Sequence, residues 1–183
     1  AITGPAAENG VLYSGIAFDG DPSEMRGGLG LVMYSKGLKY IHVRGTSDVP
    51  VYDSEMLASA REDIMRLVSA SPALMGELGI SEFGAGALYD LIQSRRMLPA
   101  RNFRETYFPE GEKVNAWHFR QKFGFNRNGC AGCNILCMPE SDSGNMIPGF
   151  ETMAHFSALI GNSDIDLVMK ASDLCSNTGM DPL

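Results

Sequence analysis

Hydrophobic positions recur at helical spacing along most of the chain and alternate like a strand only near its start. In residues 54–69, Leu57, Ala60, Ile64, Leu67 and Val68 fall on one face, the period of an amphipathic helix. Asp53 or Ser54 offers the side-chain oxygen of an N-cap, and Pro72 ends that helix or restarts it. A second helix is predicted over 82–96 and another around 114–123. Two more follow over 149–160 and 163–176. In the last, Leu167, Val168, Ala171, Leu174 and Cys175 share a face. Ser163 with Asp166 three positions on resembles a capping box, with Asp where Glu is usual. Residues 98–103 read as a loop.

The first fifty residues read differently. VLYSGIAF (11–18) and KYIHVRG (39–45) are predicted strands, the second alternating Tyr40, His42, Arg44 against Ile41, Val43. Between them a short helix or loop-helix is expected, opened by Asp21-Pro22-Ser23. Gly27, Gly28 and Gly30 would each weaken a helix by roughly 1 kcal/mol, a cost that suggests a close backbone approach there. The pattern therefore predicts an α+β fold, mostly helical. A short β-rich N-terminal part (1–50) precedes a helical domain (51–183) carrying the cysteines. No repeat or low-complexity tract interrupts it.

Composition narrows the function. Of 183 residues, 44 % are hydrophobic and 20 % charged, with a net charge of −7. Such an acidic chain without Lys/Arg runs is unsuited to nucleic acid. No apolar run approaches the ~20 residues of a membrane helix. AITGPAAENG has neither the basic start nor the apolar stretch of a signal peptide. It also starts without Met, so a piece of a longer polypeptide is expected.

The candidate chemistry lies in GCAGCNILCMP, residues 129–139. Cys130, Cys133 and Cys137 form C-x2-C-x3-C, with Gly129, Gly132 and Pro139 suited to a sharply turning loop. A disulfide framework normally needs more cysteines in a shorter chain. The thiols therefore suit a reducing compartment, and a cytoplasmic location is expected. Two inorganic partners fit three soft ligands: tetrahedral zinc and an iron–sulfur cluster. His155 could complete a Cys3His zinc site in a non-enzymatic structural module. Cys175, on the apolar face of its helix, reads as a buried core thiol. Three chance buried cysteines are the remaining alternative.

Five segments in order resemble one family, the tungsten-containing aldehyde:ferredoxin oxidoreductases. AITGPAAEN is similar to its AITGPAGEN. MRGGLGLVMYSKGLKYIHVRG resembles its GRGGLGAVMGSKNLKAI, and FGAGALYDLIQSRRMLPARNF its stretch ending in LPTRNF. NGCAGCNILC looks like its cluster loop, and the segment from Gly149 to Asp181 resembles its GPEYET…LCxxxGLD region. The resemblance covers the whole chain but only the middle of the family's polypeptide.

It implies that Cys130, Cys133 and Cys137 hold a 4Fe-4S cluster whose fourth ligand lies beyond Leu183. It implies a tungsten, rarely molybdenum, bis-pterin, with an aldehyde oxidised to a carboxylic acid and electrons leaving to ferredoxin or an electron-transfer subunit. Arg26, Gly27 and Gly28 map onto its first pterin-contacting motif. An Arg beside a glycine turn offers charge and open N–H groups to a phosphate. Gly179, Met180 and Asp181 fit the second motif, while Ser176 replaces its first Asp, and a hydroxyl accepts more weakly than a carboxylate. Gly179 also reads as a helix C-cap.

Glu151 matches the family's glutamate near the metal, expected to move protons from a partly dry pocket that raises its pKa. From the residues alone it reads as an exposed Glu in a first helical turn. His155, four residues on, would tune Glu151 or be a satisfied core histidine. Related enzymes act on other aldehydes or reduce the ring of benzoyl-CoA. The remainder of the family's polypeptide is an expected partner, and the chain alone is expected not to turn over aldehyde.

Overall fold

A computed structural model describes residues 1–18, 21–24 and 26–183, with backbone alone for 21–24. The α+β expectation, mostly helical with a small N-terminal sheet, is what it shows. Contacts divide the chain into two compact units, residues 1–47 with 170–183, and residues 48–169.

The first unit opens with β1 (Ile2–Thr3) and α1 (Pro5–Glu8), followed by β2 (Ile16–Phe18), β3 (Asp21–Glu24) and α2 (Leu29–Ser35). The strands form an antiparallel sheet in the order β1-β2-β3, with Ile2 opposite Ala17 and Thr3 opposite Ile16. The strand expected over 11–18 is thus confined to its last residues. Val11 accepts from Ser14 N–H in a turn, and Ser14 makes only an isolated bridge to Met180. Residues 39–45 contribute one bridge, Tyr40 to Ile2. Ile41 and Val43 stay exposed, because alternation stabilises a strand only where one face is buried. The helix expected to open at Asp21-Pro22-Ser23 is also corrected: 21–24 are β3, and α2 starts after Gly27 and Gly28, with Gly30 in its first turn. Gly28, at φ +72°, caps it from the left-handed region that glycine enters freely.

The second unit contains α3 (Ser54–Ser69), α4 (Pro72–Met75), α5 (Ile80–Phe83), α6 (Ala87–Ser94), α7 (Ala116–Phe123), α8 (Phe150–Phe156) and the start of α9 (Ile165–Thr178). Asp53 caps α3, its carboxylate accepting from Met56 N–H at 2.9 Å. Pro72 restarts the chain at the first turn of α4, where its missing N–H costs nothing. The single helix expected over 82–96 is broken. Gly84–Gly86 form a 3-10 turn with Gly84 at φ +66°, and a Cβ there would collide with Pro139. At α9 the cap is Asp164, which accepts from Asp166 and Leu167 N–H at 2.9 and 3.3 Å, not Ser163.

Tyr89 (α6), Phe119 (α7), Met153 (α8) and Val168 (α9) are fully buried with Leu98, Phe108 and Val114. Burial contributes roughly 1.5–3 kcal/mol for each large side chain. The inward face of α9 is Val168, Met169, Ser172 and Cys175, while Leu167 and Leu174 point outward. No residue of α3 is buried, and its Met56, Leu57, Ile64 and Leu67 are 56–74 % exposed. No helix among the described residues is long and apolar enough to cross a membrane.

Candidate functional site

The cysteine loop stands on a short paired stem in the second unit. Asn126 and Glu140 exchange backbone hydrogen bonds of 2.7 and 2.8 Å, and Met138 N–H donates to Asn128 O at 3.0 Å. Above the stem the chain turns tightly. Cys133 N–H closes on Cys130 O at 3.0 Å, Gly132 takes φ +75° and Leu136 φ +54°. Gly129 passes so close to Leu136 that a Cβ would lie 2.9 Å from its Cα. Both legs are tied to residues 81–85. Arg127 donates from Nε and Nη2 to Ser81 O at 3.0 and 2.7 Å, and Ala85 N–H donates to Cys137 O at 2.9 Å.

None of the three cysteines is in a disulfide, Cys130 being exposed and the others half-buried. Their side chains do not converge: among the described residues no three His, Cys, Asp or Glu side chains are grouped closely enough to hold a metal ion. Neither the three-thiol grouping nor the Cys3His grouping with His155 is closed among the described residues. His155 Nδ1 instead lies 2.7 Å from the backbone O of Glu151, one turn back on α8. Glu151 sits in the first turn of α8 and is exposed, so the partly dry pocket expected around it is not formed by these residues. Ala85 connects the two features, since its methyl group lies 3.3 Å from where a Cβ on Gly149, the N-cap of α8, would stand.

The first unit brings the other six predicted residues into one place. Asp181 is buried, and Arg26 Nε reaches its Oδ2 at 3.4 Å across 155 residues of sequence. Backbone contacts enforce this meeting. Gly15 N–H donates to Gly179 O at 2.9 Å, Asp181 N–H to Tyr13 O at 2.9 Å, and Gly30 N–H to Ser14 O at 3.0 Å. The approaches leave no room for side chains. A Cβ on Gly4 would collide with Thr178 O, one on Gly28 with Leu12 O, and one on Gly30 with Gly15 O. Gly179, at φ +72°, ends α9 while Met180 N–H closes back on Cys175 O at 2.9 Å, a Schellman cap. The C-cap and cofactor roles of Gly179 are thus compatible.

Cys175 is buried in α9, and its thiol is held above its ordinary pKa by burial first and by the Asp181 carboxylate second. Ser14 was not singled out from the sequence. Its hydroxyl is fully buried with no hydrogen-bond partner among the described residues, and its bridge to Met180 and its bond from Gly30 N–H, both invisible in the local pattern, place it here.

Unit two holds one further cluster the sequence did not announce. A cavity of about 420 Å3 is lined by Asp90, Arg96, Tyr107, Glu112, Asn115 and His118, among others. Burial pushes the Asp90 carboxyl up to about 6, against hydrogen bonds from Ala116 and Asn115 and the charge of His118.

The donor sets match the groups that the resemblance implies. Three cysteines outside any disulfide on one glycine-turned loop are the ligand chemistry of a soft centre. Arg26 offers a cation to an anion, Gly27 leaves open space around its Cα, and Asp181 offers a buried acceptor.

A family model described as "Aldehyde ferredoxin oxidoreductase, domains 2 & 3" matches residues 59–183, and its N-terminal-domain counterpart matches residues 1–45. The chain is 28 % identical to the tungsten-containing aldehyde ferredoxin oxidoreductase of Pyrococcus furiosus, aligning over 100 % of this chain and 31 % of that protein. The enzyme of the same description from Thermococcus kodakarensis is 29 % identical over 100 % of this chain and 31 % of its own. An aliphatic sulfonate oxidoreductase, WOR-like subunit, from P. furiosus is 27 % identical over 97 % of this chain and 29 % of its own. The chain thus spans less than a third of these relatives.

Proposed function

The chain belongs to the aldehyde ferredoxin oxidoreductase family, and from that premise we propose that it is the cluster-bearing segment of a tungstopterin oxidoreductase that converts an aldehyde to a carboxylic acid. When bound, the tungsten bis-pterin and a 4Fe-4S cluster supply the redox chemistry, two-electron oxidation of the aldehyde with water as oxygen source and one-electron transfer onward to ferredoxin or an electron-transfer subunit.

The chain's own residues bind, orient and move protons. Cys130, Cys133 and Cys137 would donate thiolates, with open space around Gly132 for them to close on one centre and a fourth ligand coming from elsewhere. Arg26 and the Gly27-Gly28 turn receive the anionic end of the pterin. Asp181 would lie in the shell around the pterin, held in place by the caps around Gly179 and Met180. Glu151 moves protons at the substrate carbonyl once the rest of a longer polypeptide covers it. The observation that carries this reading is the meeting of Arg26 with Asp181 in the same chain that presents three cysteines, none in a disulfide, on one loop.

Substrate class divides the relatives, since one of them is described by an aliphatic sulfonate rather than an aldehyde. The aldehyde is favoured by the family model and by the relatives described as aldehyde oxidoreductases. The test is the visible spectrum of anaerobically purified protein. A broad absorption that bleaches with dithionite, and is missing from Cys130→Ser, is expected. A colourless wild-type protein under the same handling contradicts the reading.

A further inference from the structure

Arg127 lies three residues before the first cysteine, on the incoming leg of the stem. From the sequence it is one more surface arginine, yet two of its nitrogens converge on a single carbonyl, Ser81 O, at 3.0 and 2.7 Å. Ser81 is 2 % exposed, so this charge-assisted fork lands on a fixed part of the core. Nη2 also meets Glu82 Oε1 at 2.8 Å, but both side chains are substantially exposed, and such pairs contribute little. Glu82 has a second cation in Arg120, at 3.6 Å. The outgoing leg is held by the Ala85–Cys137 backbone hydrogen bond and by the Pro139 ring seated against Gly84. The incoming leg has no such bond to residues 81–85, and Arg127 supplies the side-chain tie.

We propose that Arg127 is a positioning residue for the cysteine loop, gripping the Ser81 carbonyl so that Cys130 and Cys133 are presented on the same base as Cys137. The inference rests on the reading of this loop as a cluster holder. It acts through the stem and involves no contact of Arg127 with the reacting atoms.

The test is anaerobic reconstitution with iron and sulfide, reading iron per chain after gel filtration and the electron paramagnetic resonance spectrum of the reduced protein. Outer-shell partners of metal ligands typically carry about 10–100-fold in affinity. Arg127→Ala is therefore expected to lose on the order of tenfold in retained iron and to show an altered resonance, with its far-ultraviolet circular dichroism unchanged. Arg127→Lys, with a single nitrogen to offer, falls between it and wild type. Glu82→Gln, which keeps the carbonyl grip, behaves like wild type. Equal iron and an identical spectrum in Arg127→Ala would overturn the positioning role alone. Wild-type protein that binds no iron would overturn the cluster reading beneath it. Should Arg127→Ala fail to fold, Arg127→Lys carries the test, and wild-type iron content with a wild-type spectrum there would overturn the role.

Discussion

The two candidate sites are built in opposite ways. The Arg26–Asp181 site is assembled from segments 155 residues apart, and what brings them together is bare backbone, with Gly4, Gly28 and Gly30 each passing where a methyl group would strike a carbonyl. The cysteine loop gathers its ligands from one short stretch on a two-leg stem, and at its tip Gly132 has open space around it. The first is a rigid seat that tolerates almost no added volume. The second has room to rearrange, as three thiols that do not yet converge require. A seat for a large organic group gains from being formed in advance, while a metal centre supplies its own ordering energy when its ligands close on it.

The sharpest way to break that contrast is to add a methyl group to each. Gly30→Ala places a Cβ against Gly15 O. Overpacking costs typically 1–3 kcal/mol, and a clash with backbone atoms that cannot swing aside puts it near the upper end, about 3 kcal/mol, while the helix-propensity gain of about 1 kcal/mol for Ala opposes it. A net loss of about 2 kcal/mol is expected, or roughly 4–8 °C in Tm at this chain length. A stabilised Gly30→Ala would mean the seat is not tightly packed.

Asp90 distinguishes the units by pH. Its carboxyl titrates at about 6 in the folded chain against an ordinary 3.8, so the folded state holds the proton longer than the unfolded one. Stability contributed by the protonated form is present below the ordinary value, falls as pH rises toward about 6, and stays lower above it. Asp90→Asn removes that fall. It is expected to exceed wild type by roughly 1–2 kcal/mol at pH 8 after discounting for partial exposure. Hydrogen exchange localises the change, with amides near Tyr89 and Phe119 responding to pH and those at Gly15 and Met180 not. A wild-type-like pH profile in Asp90→Asn would remove Asp90 as the source.

The smallest effect belongs to Gly132→Ala. It meets no atom, and only its φ of +75° is unfavourable, so about 1 kcal/mol is expected. A loss as large as that of Gly30→Ala would show that the loop is not open.

What the sequence revealed followed from how local each feature is. The helix over 54–69 and its Asp53 cap were legible because period and cap lie within a few residues of one another. The cysteine trio was legible from spacing alone. The break at Gly84–Gly86 was not, because Pro139, which occupies the space, comes from far along the chain. The strand expected over 39–45 had the right alternation, but its Ile41 and Val43 are left exposed among the described residues. The candidate residues Arg26 and Asp181 could be named together only through a family resemblance, since nothing local in either segment points to the other. Arg127 and Ser14 carried no signal, because an arginine and a serine are ordinary surface residues until their partners are known.

The most direct test of the account is metal analysis of anaerobically purified protein, with iron, tungsten and zinc counted per chain. Iron that disappears when Cys130, Cys133 and Cys137 are replaced by serine, with zinc far below stoichiometry, is the predicted result. One zinc per chain with no iron would contradict it.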